Sequence, residues 1–105
     1  MKLWIDDVRP APEGYYWCKR VKEAINIIDY YRGNEEWIDK IEILDMDHDA
    51  GKYAEYYGGD YINILKWMEC NYPNHTIPIH IHSMNPVGVQ NMRAIIQHNG
   101  WKEIF

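Results

Sequence analysis

Short apolar runs with a period of two alternate along this chain with stretches in which apolar residues return every three or four positions. Lys2 to Ile5 alternates as a strand does and stops at the acidic pair Asp6-Asp7. Arg9-Pro10-Ala11-Pro12-Glu13-Gly14 reads as a loop, because each proline lacks the amide a helix needs. Tyr15 to Lys19 is short and aromatic, which suits a second strand. From Val21 to Arg32, the residues Val21, Ala24, Ile25, Ile28 and Tyr31 share one helical face, with Lys22, Glu23, Asn26 and Asp29 opposite and Gly33 as the stop. Residues 34 to 40 fit either a further helical turn around Trp37 or a loop. Ile41 to Met46 is a third strand, and Lys52 to Gly59 is a tyrosine-rich loop without periodicity. Asp60 is placed to cap a helix running to Asn71, with Ile62, Leu65 and Met68 inward. Ile77 to His82 alternates as a fourth strand. Pro86, capped by Asn85 or Ser83, opens a helix to His98 that Asn99-Gly100 closes, and Trp101 to Phe105 is a final strand.

Strands alternating with three helices predict an α/β fold in which a mostly parallel sheet is covered on both faces. The 105 residues suffice for one domain, residues 1–105, and one core. No stretch reaches the ~20 apolar residues that span a bilayer, so no membrane partner is expected. Aspartates interrupt the amino-terminal run before a signal-peptide core could form, and the two cysteines, Cys18 and Cys70, match no zinc or redox spacing. They are read as reduced thiols of a cytoplasmic protein, although spacing alone leaves a disulfide between them open. A net charge of -5 argues against a duplex DNA footprint, since affinity for the phosphate backbone comes from clustered Lys and Arg; a small nucleotide or an RNA end remains compatible. Composition leaves the oligomeric state unknown.

The stretch Ile-Glu-Ile-Leu-Asp-Met-Asp-His-Asp-Ala-Gly, residues 41 to 51, carries the densest chemistry. In extended backbone Asp45, Asp47 and Asp49 fall on one side, with Met46 and His48 on the other. Carboxylates so close repel unless a cation lies among them, and a hard divalent ion is the usual resolution; the plain alternative is a polar strand end entering a solvated loop. In a parallel sheet, ligands bind beyond the carboxyl ends of the strands. That rule gathers Asp6-Asp7, Asp47-His48-Asp49 and His82-Ser83-Asn85 on one rim. A helix starting near Pro86 would aim amides and its positive end at the same place.

Leu-Trp-Ile-Asp-Asp-Val-Arg-Pro-Ala-Pro, Asp-His-Asp-Ala-Gly, Gly-Gly-Asp-Tyr and His-Ser-Met-Asn-Pro-Val-Gly-Val-Gln-Asn-Met, in this order, resemble the cyclic-phosphate processing receiver domains. The resemblance spans nearly the whole chain. It implies a reduced flavodoxin-like, receiver-like three-layer sandwich, with a five-stranded parallel sheet of order 2-1-3-4-5 and a first crossover helix that has degenerated into the Arg9 to Gly14 loop. It also implies action on cyclic phosphates. Ordinary receivers end their fifth strand with a phosphate-contacting lysine, whereas this chain offers only Lys102, at the start of its last strand. Two histidines near the expected phosphate suit acid-base cleavage better than signalling.

The leading expectation is a metal-assisted phosphoesterase that opens a cyclic phosphate, with Mg²⁺ or Mn²⁺ held by Asp6, Asp7 and Asp47, and Asp49 nearby as a further ligand. His82 or His48 would protonate the leaving oxygen, with Asp47 the third catalytic candidate. Ser83, Asn85, Arg9 and the helix amides around Gly88 would hold phosphate oxygens. Arg9 could instead neutralise the acidic pair, but as an always-charged fork it suits the phosphate better. A non-catalytic binding module is the alternative, and a receiver phosphorylated on Asp47 the third reading. His80 reads as a hydrogen-bonded interior histidine, His75 and His98 as surface residues, and Asp60 as a plain cap. Tyr53, Tyr56 and Tyr57 form either a lid for a base or ordinary packing.

Overall fold

The computed structural model describes residues 1–33, 41–54 and 58–105. Five strands, β1 (Lys2–Ile5), β2 (Tyr15–Cys18), β3 (Ile43–Met46), β4 (Ile79–Ile81) and β5 (Glu103–Ile104), form one sheet in the order 2-1-3-4-5. Every neighbouring pair is parallel. The helices are α1 (Val21–Gly33), α2 (Ile62–Asn71) and α3 (Pro86–Asn99), with a 3-10 turn at Gly51–Tyr53. The sheet order and the missing first crossover helix agree with the expectation from sequence. The readings placed on residues 34–40, Tyr56 and Tyr57 lie outside the described residues.

The steps β2 to β3, β3 to β4 and β4 to β5 all cross the sheet in one direction, and each carries a helix. Right-handed crossovers therefore place α1, α2 and α3 on the same face, where α1 packs on α2 and α2 on α3. Leu3, Ile5, Cys18, Leu44, Met46 and Ile79 point into that layer and are fully buried, joined by Ala24, Ile28, Ile64, Leu65, Met68 and Met92 from the helices. The register gives the opposite face to Lys2, Trp4, Tyr15, Trp17, Ile43, Asp45, His80 and Ile104, of which only Asp45 is buried. The step from β1 to β2 runs the other way and is the one connection that would put a helix there. Cover on both faces, the three-layer part of the expectation, is thus corrected: among the described residues the helices form a single layer.

In place of that helix, the 6–14 loop is held by polar contacts. Asp6 Oδ1 accepts the amides of Val8 and Arg9 at 2.9 and 3.0 Å, Trp17 Nε1 donates to the Asp6 carbonyl at 2.8 Å, and Trp4 Nε1 donates to the Arg9 carbonyl at 2.8 Å. Both strand tryptophans therefore act as struts for the loop that carries the acidic pair.

Local chemistry sets the helix ends. Asn85 caps α3, its side chain accepting the Gly88 amide, with Pro86 in the first turn; Gly100 ends the helix at φ 69°. Asp60 does not cap α2. The residue before that helix is Tyr61, without a side-chain cap, and Asp60 Oδ1 instead accepts the Ala50 amide at 3.0 Å, tying the loop after β3. His75 is corrected from surface to core: only 5% exposed, it lies against Trp101 with ring centroids 4.3 Å apart and accepts the Ile77 amide at Nδ1. The cysteines are free, Cys18 buried and Cys70 exposed.

Candidate functional site

The carboxyl ends of β1, β3 and β4 carry the polar residues, as the sheet rule requires. The ladder continues one residue past the strands there: the Asp47 amide donates to the Ile5 carbonyl at 2.8 Å, and the His82 amide to the Met46 carbonyl at 3.0 Å. Asp6, Asp47 and His82 are thereby brought to one rim by backbone pairing, before any side-chain contact.

The three aspartates of the central stretch do not form one cradle. Strand geometry ends at Met46, and each carboxylate goes to a different group. Asp47 joins Asp6 and Asp7; Asp49 joins His48 and Asp60; Asp45 joins His80 and His82. Within each group the ligand-type atoms lie within 4.8 Å of one another. Asp49 is accordingly corrected as a partner of Asp6 and Asp7.

The all-carboxylate group concentrates negative charge and could hold a cation. Burial raises the Asp7 carboxyl above its usual range, and the charges of Asp6 and Asp47 raise it further. Tyr61, buried and donating its hydroxyl to the Lys19 carbonyl at 2.7 Å, is raised by burial and by the same three carboxylates. Gly51, at φ +57°, passes so close under the Asp7 carboxylate that a Cβ would overlap Oδ2. Three oxygens donors held this near each other suit a hard divalent ion.

His82 lies between two carboxylates. Its Nε2 is 2.8 Å from Asp6 Oδ2 and its Nδ1 2.6 Å from Asp45 Oδ1, which also takes His80 Nδ1 at 2.8 Å. Trp4 stacks on the ring at 4.0 Å and 6°. Burial lowers the imidazole pKa, but the hydrogen bonds and charges of Asp45 and Asp6 outweigh it and raise it above its usual value. Burial likewise pushes both carboxyls up; the Arg9 and Val8 amides with His82 at Asp6, and His82 with His80 at Asp45, hold them below the usual range. The expected assignment is inverted here: His82 is the more enclosed ring, its side chain 9% exposed against 33% for His80. Asp45, which is not among the residues gathered by the strand-end rule, belongs to the site. Its signal was available, a carboxylate inside an apolar strand facing two histidines two residues apart, but the pairing register was needed to read it.

His48 is differently placed. Its Nδ1 is 2.7 Å from Asp49 Oδ1, Asn85 Nδ2 donates to the same oxygen at 3.2 Å, and among the described residues Nε2 makes no hydrogen bond. The His48 hydrogen bond, foremost, holds the Asp49 carboxyl below its usual range. Asp47 Oδ1 accepts the His48 amide at 2.7 Å, linking this pair to the carboxylate group. The ring lies on Gly88, where any Cβ would strike it.

The helix terminus offers fewer amides than expected. Pro86 has none, Gly88 gives its own to Asn85 Oδ1 at 3.0 Å, and Val89 bonds the Asn85 carbonyl at 2.9 Å. Only Val87 remains in that turn among the described hydrogen bonds, so Gly88 serves the site by lacking a side chain. Ser83 Oγ accepts the Asn85 amide at 3.1 Å, and Arg9 Nη1 donates to the His82 carbonyl at 3.1 Å, which brings the guanidinium to this rim. Lys102 lies beside Ile79, at the amino end of the strands and away from Asp47. Tyr53 takes Lys52 and Arg20 over its ring at 5.5 and 5.6 Å.

Residues 1–98 match the family described as Cyclic-phosphate processing Receiver domain. The chain belongs to this family. No curated protein and no solved structure matches it. This cyclic-phosphate processing receiver domain has the receiver sheet order with acidic residues at the ends of β1 and β3, and it sets two histidines beside them. Among the described residues, no helix is long and apolar enough to cross a membrane.

Proposed function

We propose that this chain is a metal-assisted phosphoesterase that opens a cyclic phosphate, the 2',3'-cyclic phosphate of a nucleotide or RNA end being the substrate class that fits a small acidic domain. The observation that carries the reading is the carboxylate group of Asp6, Asp7 and Asp47 next to the His48 and Asp49 pair, joined through the His48 amide. Asp6, Asp7 and Asp47 would hold Mg²⁺ or Mn²⁺, whose chemistry when bound is to stabilise negative charge developing on the phosphoryl group.

Ring opening adds water across one P–O bond: hydroxyl goes to phosphorus and a proton to the departing sugar oxygen. His48 is the acid in this scheme, because Nδ1 is anchored and Nε2 is left to carry the proton. Asp49 holds the ring orientation, and Asn85 holds Asp49. His82 has both nitrogens engaged by carboxylates, so its part is to position Asp6. Arg9 and Ser83 are the side chains nearest to hand for the non-bridging oxygens, with the Val87 amide.

The test is incubation with 2',3'-cyclic nucleotides, a cyclic-phosphate-ended oligonucleotide, cyclic dinucleotides and acetyl phosphate. Metal-dependent ring opening should be reduced ~10²–10⁴-fold in His48→Ala, the usual contribution of a positioned acid. Asp47→Asn should lose activity together with the rise in melting temperature that Mg²⁺ or Mn²⁺ causes by binding the folded state. Labelling of Asp47 by acetyl phosphate without ring opening would favour a signalling receiver instead. Nucleotide binding without turnover would favour a binding module.

A further inference from the structure

We propose that Asp45, His80 and His82 form a second metal site, selective for zinc, on the helix-free face of the sheet. It shares no ligand with the carboxylate group of Asp6, Asp7 and Asp47.

Backbone register builds the site. Parallel pairing sets Asp45 beside His80, and His82, two residues on, falls on the same face. Both imidazoles turn Nδ1 toward a single oxygen, Asp45 Oδ1, at 2.8 and 2.6 Å. Tetrahedral zinc, with Zn–N near ~2.0–2.1 Å, needs its ligand atoms ~3.3 Å apart. Both N···O pairs reach that spacing if the His80 contact opens by about 0.5 Å, through movement of His80, a third exposed, and the His82 contact by about 0.7 Å, through movement of Asp45.

The support behind His82 is a separate observation. A metal-bound histidine typically donates its other ring N–H to a carboxylate, which fixes the ring and its tautomer. His82 Nε2 lies 2.8 Å from Asp6 Oδ2, the Asp6 carboxylate is itself held by the Val8 and Arg9 amides, and Trp4 stacks on the imidazole at 4.0 Å. His82 Nδ1 is thus aimed at Asp45 by contacts that remain when a metal takes the place of the hydrogen bonds to Asp45.

Ligand chemistry separates the two groups. Two imidazoles and one carboxylate suit zinc, whereas Mg²⁺ prefers the all-oxygen set. Three protein ligands leave a fourth position for water or an anion, and among the described residues no helix covers this face.

The experiment uses the whole chain, with Zn²⁺ affinity measured against a chromophoric chelator and Co²⁺ as a spectroscopic substitute. The wild type should bind one ion with the intense visible bands of four-coordinate Co²⁺. His80→Ala should weaken Zn²⁺ binding by at least ~100-fold, since even supporting groups of such sites are worth ~10–100-fold. His80→Asn keeps a polar contact for Asp45 and should lose zinc equally, which separates ligation from folding. Asp7→Asn and Cys70→Ser should leave the zinc affinity unchanged. The proposal is overturned if no zinc binds, if the Co²⁺ spectrum is the weak one of six-coordination, if affinity survives in both His80 variants, or if it is lost in Asp7→Asn or Cys70→Ser.

Discussion

Gly88→Ala measures how closely α3 and the His48 ring are fitted. In a helix, alanine is favoured over glycine by up to about 1 kcal/mol, so the unopposed effect would be stabilising. Here the added Cβ would stand 2.7 Å from His48 Cδ2 and 2.8 Å from Nδ1, and nearer still to Cγ. Overpacking of this kind costs about 1–3 kcal/mol. Displacing the ring also breaks its hydrogen bond to Asp49, worth about 0.5–1.5 kcal/mol and toward the lower figure here because Asp49 is 56% exposed. The balance is a destabilisation of about 1–2 kcal/mol. In a His48→Ala background the obstruction is gone, and the same Gly88→Ala change should stabilise by up to about 1 kcal/mol. Urea unfolding of the wild type, both single variants and the double variant at neutral pH gives the cycle, with an expected coupling of about 1–3 kcal/mol between the two positions. If Gly88→Ala stabilises in both backgrounds, the ring does not rest on Gly88 and the account of this helix terminus is wrong. Gly88→Ala should also impair ring opening, by moving His48.

Burial, with the Arg32 charge, lowers the His75 pKa from 6.5 to about 4. The unfolded chain therefore binds the proton first as pH falls, so the stabilisation is present above pH 6.5 and is lost on the way down to about 4. At about 1.36 kcal/mol per pH unit the loss is at most ~3 kcal/mol. His75→Phe should flatten the urea-unfolding stability between these limits, and an unchanged pH dependence would contradict the burial. Desolvation, with the Glu23 charge, raises the Cys18 thiol to about 12, so an alkylating reagent should label the native chain at Cys70 alone and reach Cys18 only on unfolding. Rapid native labelling of Cys70→Ser would disprove this.

Sequence by itself determined the elements, since these depend on neighbours along the chain. The alternation of Lys2 to Ile5, the helical spacing of Val21, Ala24, Ile25 and Ile28, and the Asn85-Pro86 start and Gly100 stop of α3 are local facts, and the strands and helices follow them. The gathering of Asp6, Asp47 and His82 was legible for a related reason, because strand ends of a parallel sheet share a rim whatever their side chains. Partner choice among those residues was decided only in three dimensions. Asp45, Asp47 and Asp49 look equivalent at a spacing of two, yet β3 stops at Met46 and sends each to different neighbours. Asp45 meets His80 and His82 only through parallel register, across 35 and 37 residues of chain. His75 in a polar turn looks exposed until Trp101, folded back against it, covers the ring. The single helical layer among the described residues was likewise beyond local pattern, because a strand's second face is open or covered according to which way the connections cross the sheet.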